Sequence, residues 1–189
     1  DWGDSYIKSN AQVSSNMKFL GANIYNYQNG VATTRATDLC DDYVIKTMPN
    51  GLKVGVIGVI GEDQITSILS PNVAHLTFVD PSEVVKNLSQ ELRNEKDCDV
   101  VVLSAHTDQQ SLLQASDYYN DYSKITSYVD AIFCAHTHDD EVYLVNGVPV
   151  IQALGDGKQI SNIKLKVSDD GDVSLLNHAN ISSSTYSSY

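Results

Sequence analysis

Three histidines follow two apolar segments of the chain that share one pattern. Each segment, 99–106 and 130–138, opens on an aspartate, runs through apolar residues, and reaches the dipeptide Ala-His. Neutral imidazole is a ligand for zinc, manganese, iron, nickel or copper. If the chain stays extended past the second segment, His136 and His138 project to the same side. The pattern predicts a metal site built from His106, His136 and His138. The alternative is that His136 is a hydrogen-bonded histidine at the rim of the sheet and His138 a solvated loop residue.

Continuous apolar runs of this length are typical of strands that are buried on both faces of a parallel sheet. The interval 107–129 is long enough for the crossover helix that two neighbouring parallel strands require. Both segments then end at the same edge of the sheet, where open α/β sheets bind their ligands. We therefore expect the three imidazoles to lie at one rim.

Other chemical groups near these segments are interpreted more simply. We expect a solvated acidic turn at 139–141, with orientation of an imidazole N–H as the alternative. Asp108 is a further possible ligand, but solvation is the favoured interpretation. His75 and His178 are expected at the surface. Cys134 lies inside an apolar run, which argues against a nucleophilic role.

The composition indicates one soluble-type globular domain and an acidic surface. The chain has 189 residues, 12 basic and 24 acidic side chains, and a formal net charge of -12. Such a charge excludes a nucleic-acid polymer as partner and favours a cation. No apolar run reaches the length of a membrane span, and none has the pattern of a signal peptide.

The remaining pattern moves from alternating strands and helices into consecutive hairpins. Helices are expected at 4–16, 62–70, 80–96 and within 110–129. Further strands are expected at 18–24, 43–48, 52–60, 141–145, 148–154, 159–167 and 173–177. This order predicts an α/β fold, a layered α/β sandwich with parallel β-α-β units followed by antiparallel hairpins. We expect one domain over 1–180 and a disordered tail over 181–189.

Two of these segments resemble the last two metal motifs of the calcineurin-like metallophosphoesterases. They are Leu-Ser-Ala-His at 103–106 and Ala-His-Thr-His at 135–138. The resemblance is strongest to the branch of 5'-nucleotidases and 2',3'-cyclic-nucleotide phosphodiesterases. Supporting segments stand in the family's order at 1–3, 19–24, 51–58, 129–130 and 146–153.

The resemblance implies that His106 and His136 hold one divalent metal ion and that His138 holds a second. Zinc, manganese, iron, nickel and cobalt are not distinguished. In such enzymes two metal ions activate a water that attacks phosphorus. The implied substrate is a nucleotide or another small phosphate ester. The implied location is extracellular, periplasmic or at the cell surface.

The chain also departs from the family pattern. The family's earlier motifs supply a bridging aspartate and an Asn-His pair, and this sequence contains neither. It therefore resembles the C-terminal half of a catalytic domain, and by itself we expect it to be inactive. The alternatives are a non-catalytic metal- or partner-binding domain and a hydrolase of other esters, such as thiosulfate esters. An exposed sheet edge predicts possible homo-oligomers.

Overall fold

The computed structural model describes residues 3–11, 17–109, 112 and 122–185 of the chain. Its strands, in chain order, are β1 (Ile24–Gln28), β2 (Val31–Arg35), β3 (Tyr43–Thr47), β4 (Lys53–Ile60), β5 (Leu76–Phe78), β6 (Val100–His106), β7 (Ala131–Cys134), β8 (Glu141–Val145), β9 (Val148–Gln152), β10 (Gln159–Val167) and β11 (Val173–Ser182). Its α-helices are α1 (Asp4–Ala11), α2 (Ser70–Val73) and α3 (Pro81–Asn94), and shorter 3₁₀ helices lie at Glu62–Ser67, Tyr122–Ser127 and Ser183–Thr185.

The central sheet has six strands in the order β3-β4-β6-β7-β9-β8. The four inner strands run parallel, and β3 and β8 pair antiparallel at the two edges. The carboxyl ends of β4, β6, β7 and β9 therefore meet at one edge of the sheet. The predicted mixture of parallel β-α-β units and antiparallel hairpins is confirmed.

Helix α3 packs on the sheet and connects β5 to β6. The Asp80 side chain caps it by accepting a hydrogen bond from the Ser82 backbone N–H at 2.7 Å, and Pro81 opens its first turn. Its apolar stripe includes Leu92, which is fully buried. A Cβ at Gly55 would lie 2.8 Å from a Leu92 methyl carbon, so glycine is what lets the helix approach β4 this closely.

A second layer of strands covers one part of the molecule. Strands β2, β1 and β5 form a three-stranded antiparallel sheet. Asn29 and Gly30 form the turn between β1 and β2, with φ of 52° and 86°, the left-handed values that a tight hairpin needs. The β1–β2 hairpin is not among the strands expected from the sequence and is a correction. Its strands are largely exposed and so carry no apolar pattern.

The strand predicted at 18–24 is also different in the structure. Only Leu20 forms a bridge there, with Asp41, and the regular strand begins at Ile24. A Cβ at Gly58 would lie 2.2 Å from the Leu20 Cβ, and the Ala22 N–H donates to the Gly58 carbonyl at 2.8 Å. This stretch therefore crosses closely over β4, held by contacts that the local sequence does not reveal.

Strands β10 and β11 form a separate two-stranded hairpin. The prediction for β10 is confirmed, whereas β11 continues five residues beyond its expected end at 177 and reaches Ser182. The 3₁₀ helix Ser183–Thr185 follows, and residues 186–189 lie outside the described part of the chain. The predicted helical region 110–129 is described only at Leu112 and from 122 onward, and residues 12–16 of the first predicted helix are likewise outside.

The core lies between the central sheet and α3. Its fully buried side chains include Ile57 on β4, Leu103 on β6, Ile132 on β7 and Val150 on β9. Burial of these apolar side chains therefore stabilises the strands in addition to their backbone hydrogen bonds. Among the described residues, no helix is long and apolar enough to cross a membrane.

Asn23 is a buried polar anchor between the two layers. Its side chain is fully buried, its Oδ1 accepts from the Ile60 N–H at 3.0 Å, and its Nδ2 donates to the carbonyls of Ile60 and Val79, each at 2.8 Å. The carboxamide thus satisfies three backbone groups at the end of β4 and the approach to α3.

We predict that Asn23→Leu lowers the free energy of unfolding by about 3 kcal/mol or more, because it leaves these three buried backbone groups unpaired. Urea-induced unfolding measures the effect. Asn26→Ala is the control: among the described residues its side-chain amide bonds only the Thr34 hydroxyl, in an exposed setting, so the expected loss is below about 1 kcal/mol. Equal losses in the two variants would contradict the anchoring role of Asn23.

Candidate metal centre

Two of the three predicted histidines lie together at the carboxyl edge of the sheet. Strands β6 and β7 are parallel neighbours, with Ala105 opposite Cys134. His106 ends β6, and His136 follows β7 by two residues. The His106 Nε2 and the His136 Nδ1 are 3.3 Å apart, with the two rings nearly edge to face at 69°. The convergence expected from the paired apolar segments is therefore present for this pair.

The distance between these two nitrogens suits a shared metal ion. Zinc binds histidine nitrogen at about 2.0–2.1 Å in tetrahedral geometry, which places two such nitrogens about 3.3 Å from each other. The same contact can also be a hydrogen bond between two neutral imidazoles, somewhat longer than the usual N–H···N spacing. A metal ion bound to both nitrogens would take the place of the proton that the two rings share in such a hydrogen bond.

The charge state of His106 is set by its surroundings. Burial of the ring lowers the pKa of His106, and the neighbouring charges of His136 and His138 lower it further. A lowered pKa favours the neutral imidazole, which is the form that binds a metal. Protons and metal ions would compete weakly here at neutral pH.

His138 has a different position from the pair. A Cβ on Gly155 would lie only 2.3 Å from the His138 Nδ1, so the ring rests directly against the Gly155 backbone. Among the residues that the structure describes, no three His, Cys, Asp or Glu side chains are grouped so that they could hold a metal ion. The structure therefore brings together His106 and His136 and sets His138 beside them, against the turn that follows β9.

The loop that carries His136 and His138 is not extended. Their spacing predicts side chains on the same side only for an extended chain, and this condition is not met. Both residues have positive φ, 92° and 62° respectively. Residues other than glycine rarely adopt this left-handed region, and each such residue stores backbone strain of about 1–3 kcal/mol. The chain reverses direction here because β8 runs antiparallel to β7 and β9, so it begins at the same edge of the sheet at which β7 ends.

Gln152, the last residue of β9, holds this loop from below. It is 1 % exposed, and its Nε2 donates to the Thr137 hydroxyl at 2.7 Å and to the Asp139 carbonyl at 3.3 Å. These hydrogen bonds fix Thr137, which lies between the two histidines, and Asp139, which follows His138. Sequence reasoning did not single out Gln152 or Gly155, because neither carries a signal at the level of motifs.

The acidic residues after the loop have structural contacts. The Asp140 carboxylate accepts from Gln159 and Asn180, which lowers its pKa. Glu141 begins β8, and burial raises its pKa, with Asp108 and Asp139 adding to the effect. The turn expected to be solvated is therefore fixed by hydrogen bonds at Asp140.

The remaining candidates lie elsewhere or are inert. The His75 Nε2 lies 3.4 Å from the Asp4 carboxylate, on the side of α1, and His178 pairs with Ile163 within the β10–β11 hairpin. Cys134 is buried, and burial raises the pKa of its thiol to about 12. A protonated, buried thiol is a poor nucleophile, in line with the sequence interpretation.

No protein-family model matches the chain. Three curated proteins show limited sequence similarity. A cell wall protein of Listeria monocytogenes is 25% identical over 83% of this chain and 21% of its own length. An apyrase of Tabanus yao is 33% identical over 47% of this chain and 14% of its length. An endonuclease of Bacillus subtilis is 26% identical over 62% of this chain and 10% of its length.

Solved structures match a larger share of this chain than the curated proteins do. A Staphylococcus aureus protein assigned as a 5'-nucleotidase has a TM-score of 0.70, with 19% identity over 96% of this chain and 36% of that chain. The sulfate thiohydrolase SoxB of Thermus thermophilus also has a TM-score of 0.70, with 17% identity over 98% of this chain and 31% of that one. The calcineurin-like phosphoesterase YfkN of Bacillus subtilis has a TM-score of 0.64, with 20% identity over 90% of this chain and 57% of that one.

The chain has the fold of the calcineurin-like metallophosphoesterases. The predicted resemblance is confirmed at this level. The chain spans about a fifth or less of the curated relatives and about one third to just over half of these solved chains.

We predict that Gly155→Ala turns the His138 ring away from its present position, because the new methyl group would lie 2.3 Å from the ring nitrogen. Gly155 does not have positive φ, so the backbone accepts alanine and the melting temperature should fall by only a few degrees. Proton–nitrogen correlation spectra of the histidine rings should show a shift at His138 and little change at His75. Unchanged His138 signals would refute this packing.

Proposed function

We propose that this chain is part of a metal-dependent phosphoesterase, and that His106, His136 and His138 are its contribution to the metal site. The observation that carries the proposal is the 3.3 Å approach of two imidazole nitrogens at the carboxyl ends of neighbouring parallel strands. The fold supports it, because phosphoesterases, nucleotidases and a thiohydrolase are among its structural neighbours.

In this proposal the His106 Nε2 and the His136 Nδ1 bind one divalent ion, and His138 binds a second, as the family resemblance implies. Metal ions at such a site activate a water for attack on phosphorus and neutralise charge on the phosphoryl oxygens. The chain's own residues perform the positioning. Strand β6 fixes His106, while Gln152 fixes the loop that bears the other two rings.

The proposed substrate is a phosphate ester of a nucleotide. Two structural neighbours, one from Staphylococcus aureus and one from Candida albicans, are assigned as 5'-nucleotidases, and a curated relative is an apyrase. The protein's net charge of -12 would repel an anionic ester, and bound cations at the rim would reverse the local field. A cell wall protein among the relatives supports a surface or extracellular location for this chain as well. Pairing of copies through an exposed sheet edge stays a prediction.

We predict that the purified chain binds one equivalent of Zn²⁺ at neutral pH, at the His106–His136 pair, because His138 alone offers a single ligand for a second ion. His136→Ala should weaken this binding by at least about tenfold. Isothermal titration calorimetry measures both values, and elemental analysis checks the stoichiometry. His75→Ala should bind like the unmodified protein, because that ring lies beside α1. The ligand assignment fails if both variants bind Zn²⁺ equally well.

A non-catalytic binding domain is the second candidate. Its support is that the described residues contain no group of three metal-ligating side chains and that the histidine pair lacks a bridging carboxylate among them. Two neutral ligands and one nearby histidine offset little of the charge of two divalent ions. This makes efficient two-metal catalysis by these residues alone difficult.

We therefore predict that the chain by itself hydrolyses adenosine monophosphate and bis-p-nitrophenyl phosphate no faster than the metal ion alone. Phosphate and nitrophenol release with Mn²⁺ or Zn²⁺ in excess measures the rate, and His106→Ala serves as the blank. Metal-dependent turnover that His106→Ala abolishes would show that the chain is catalytically sufficient. It would overturn the expectation of inactivity and favour the enzyme over the binding domain.

A further inference from the structure

The loop that carries His136 and His138 is tied to the β10–β11 hairpin by side-chain amides. The Asn180 Nδ2 donates to the Asp140 Oδ1 at 2.7 Å and to the Gln152 carbonyl at 2.6 Å. The Gln159 Nε2 donates to the other Asp140 oxygen, Oδ2, at 2.8 Å. Both carboxylate oxygens of Asp140 are therefore engaged by the hairpin, one from each of its strands.

The orientation of the Asn180 amide is itself fixed. Ser161 stands directly opposite Asn180 in the hairpin, and its hydroxyl donates to the Asn180 Oδ1 at 2.7 Å. The oxygen end of the amide is thereby occupied. The nitrogen end donates to the Asp140 carboxylate, the Gln152 carbonyl and, at 3.4 Å, the Glu141 carbonyl. An amide with both ends satisfied in this way acts as a rigid connector rather than a mobile surface group.

The connection continues to the histidines. Gln152 receives the Asn180 bond through its carbonyl, and its own side chain donates to Thr137, the residue between the two rings. Asp140 lies two residues beyond His138. The amide of Asn180 thus reaches the loop directly at Asp140, just after the segment in which His136 and His138 hold positive φ, and through Gln152 at Thr137 within that segment.

We propose that Asn180 is a positioning residue that holds His136 and His138 in their strained backbone conformation, so that the β10–β11 hairpin sets the geometry of the metal site. Strained residues persist only where surrounding contacts over-determine them. Without the Asn180 bonds, the loop would relax toward ordinary backbone angles and the two rings would lose their fixed placement. The inference rests on the proposed metal-binding function for its chemical meaning, but the ordering of the loop is a property of the metal-free chain.

The test compares Asn180→Ala with Asn177→Ala, the same exchange three residues earlier in β11 at an exposed site opposite Lys164. In the metal-free protein, backbone ¹⁵N order parameters for residues 135–141 should fall from about 0.85 to below about 0.6 in Asn180→Ala. Zn²⁺ affinity should weaken about tenfold, as is usual when a residue behind a metal ligand is removed. Both values should be unchanged in Asn177→Ala.

If Asn180→Ala does not fold, Asp140→Ala provides the same test from an exposed position on the loop side, since it removes the shared acceptor. A loop that keeps its order parameters and Zn²⁺ affinity in the folded variant, even with a lowered melting temperature, would overturn the inference and leave Asn180 a purely structural residue. Absence of Zn²⁺ binding to the unmodified protein would refute the proposed function instead, and the order parameters would still decide the role of Asn180.

Discussion

The parallel pairing of β6 with β7 is the constraint on which the site depends. One face of this strand pair is fully buried, with Leu103 beside Ile132 and Ala105 beside Cys134. A slip of one residue would turn every side chain of a strand to the opposite face and would expose Leu103 or Ile132. The hydrophobic core thus fixes the register, and the register fixes the separation of His106 and His136. Their 3.3 Å contact is a consequence of apolar packing below the rim.

Beyond the strand ends, apolar packing no longer controls the chain, and polar contacts take over. His136 and His138 both adopt positive φ, which disfavours the loop by itself. Gln152 and Asp140 tie the loop to β9 and to the β10–β11 hairpin. The site therefore has two levels of support: a core that aligns β6 with β7, and a hydrogen-bonded network that shapes the loop after β7. Gly155 adds a surface against which His138 rests.

The sequence predicts the parts of this arrangement that apolar periodicity or local capping determines. The strands that lead to His106 and His136, the helix expected at 80–96 and the strands expected at 43–48 and 52–60 are all present in the structure. The β1–β2 hairpin was missed because its strands are exposed, and the stretch around Leu20 was mistaken for a regular strand because long-range contact with Gly58 shapes it. The network through Gln152 and Asn180 joins residues 28 positions apart, which no local pattern reveals.

The most direct test of the central claim is a long-range proton–nitrogen correlation spectrum of the histidine rings during Zn²⁺ titration. We expect the signals of the His106 Nε2 and the His136 Nδ1 to shift together and to stop changing at one equivalent of metal, while the signals of His75 and His178 stay unchanged. Separate saturation of the two nitrogens, or no shift at either, would contradict the claim that the paired strands create a shared metal site.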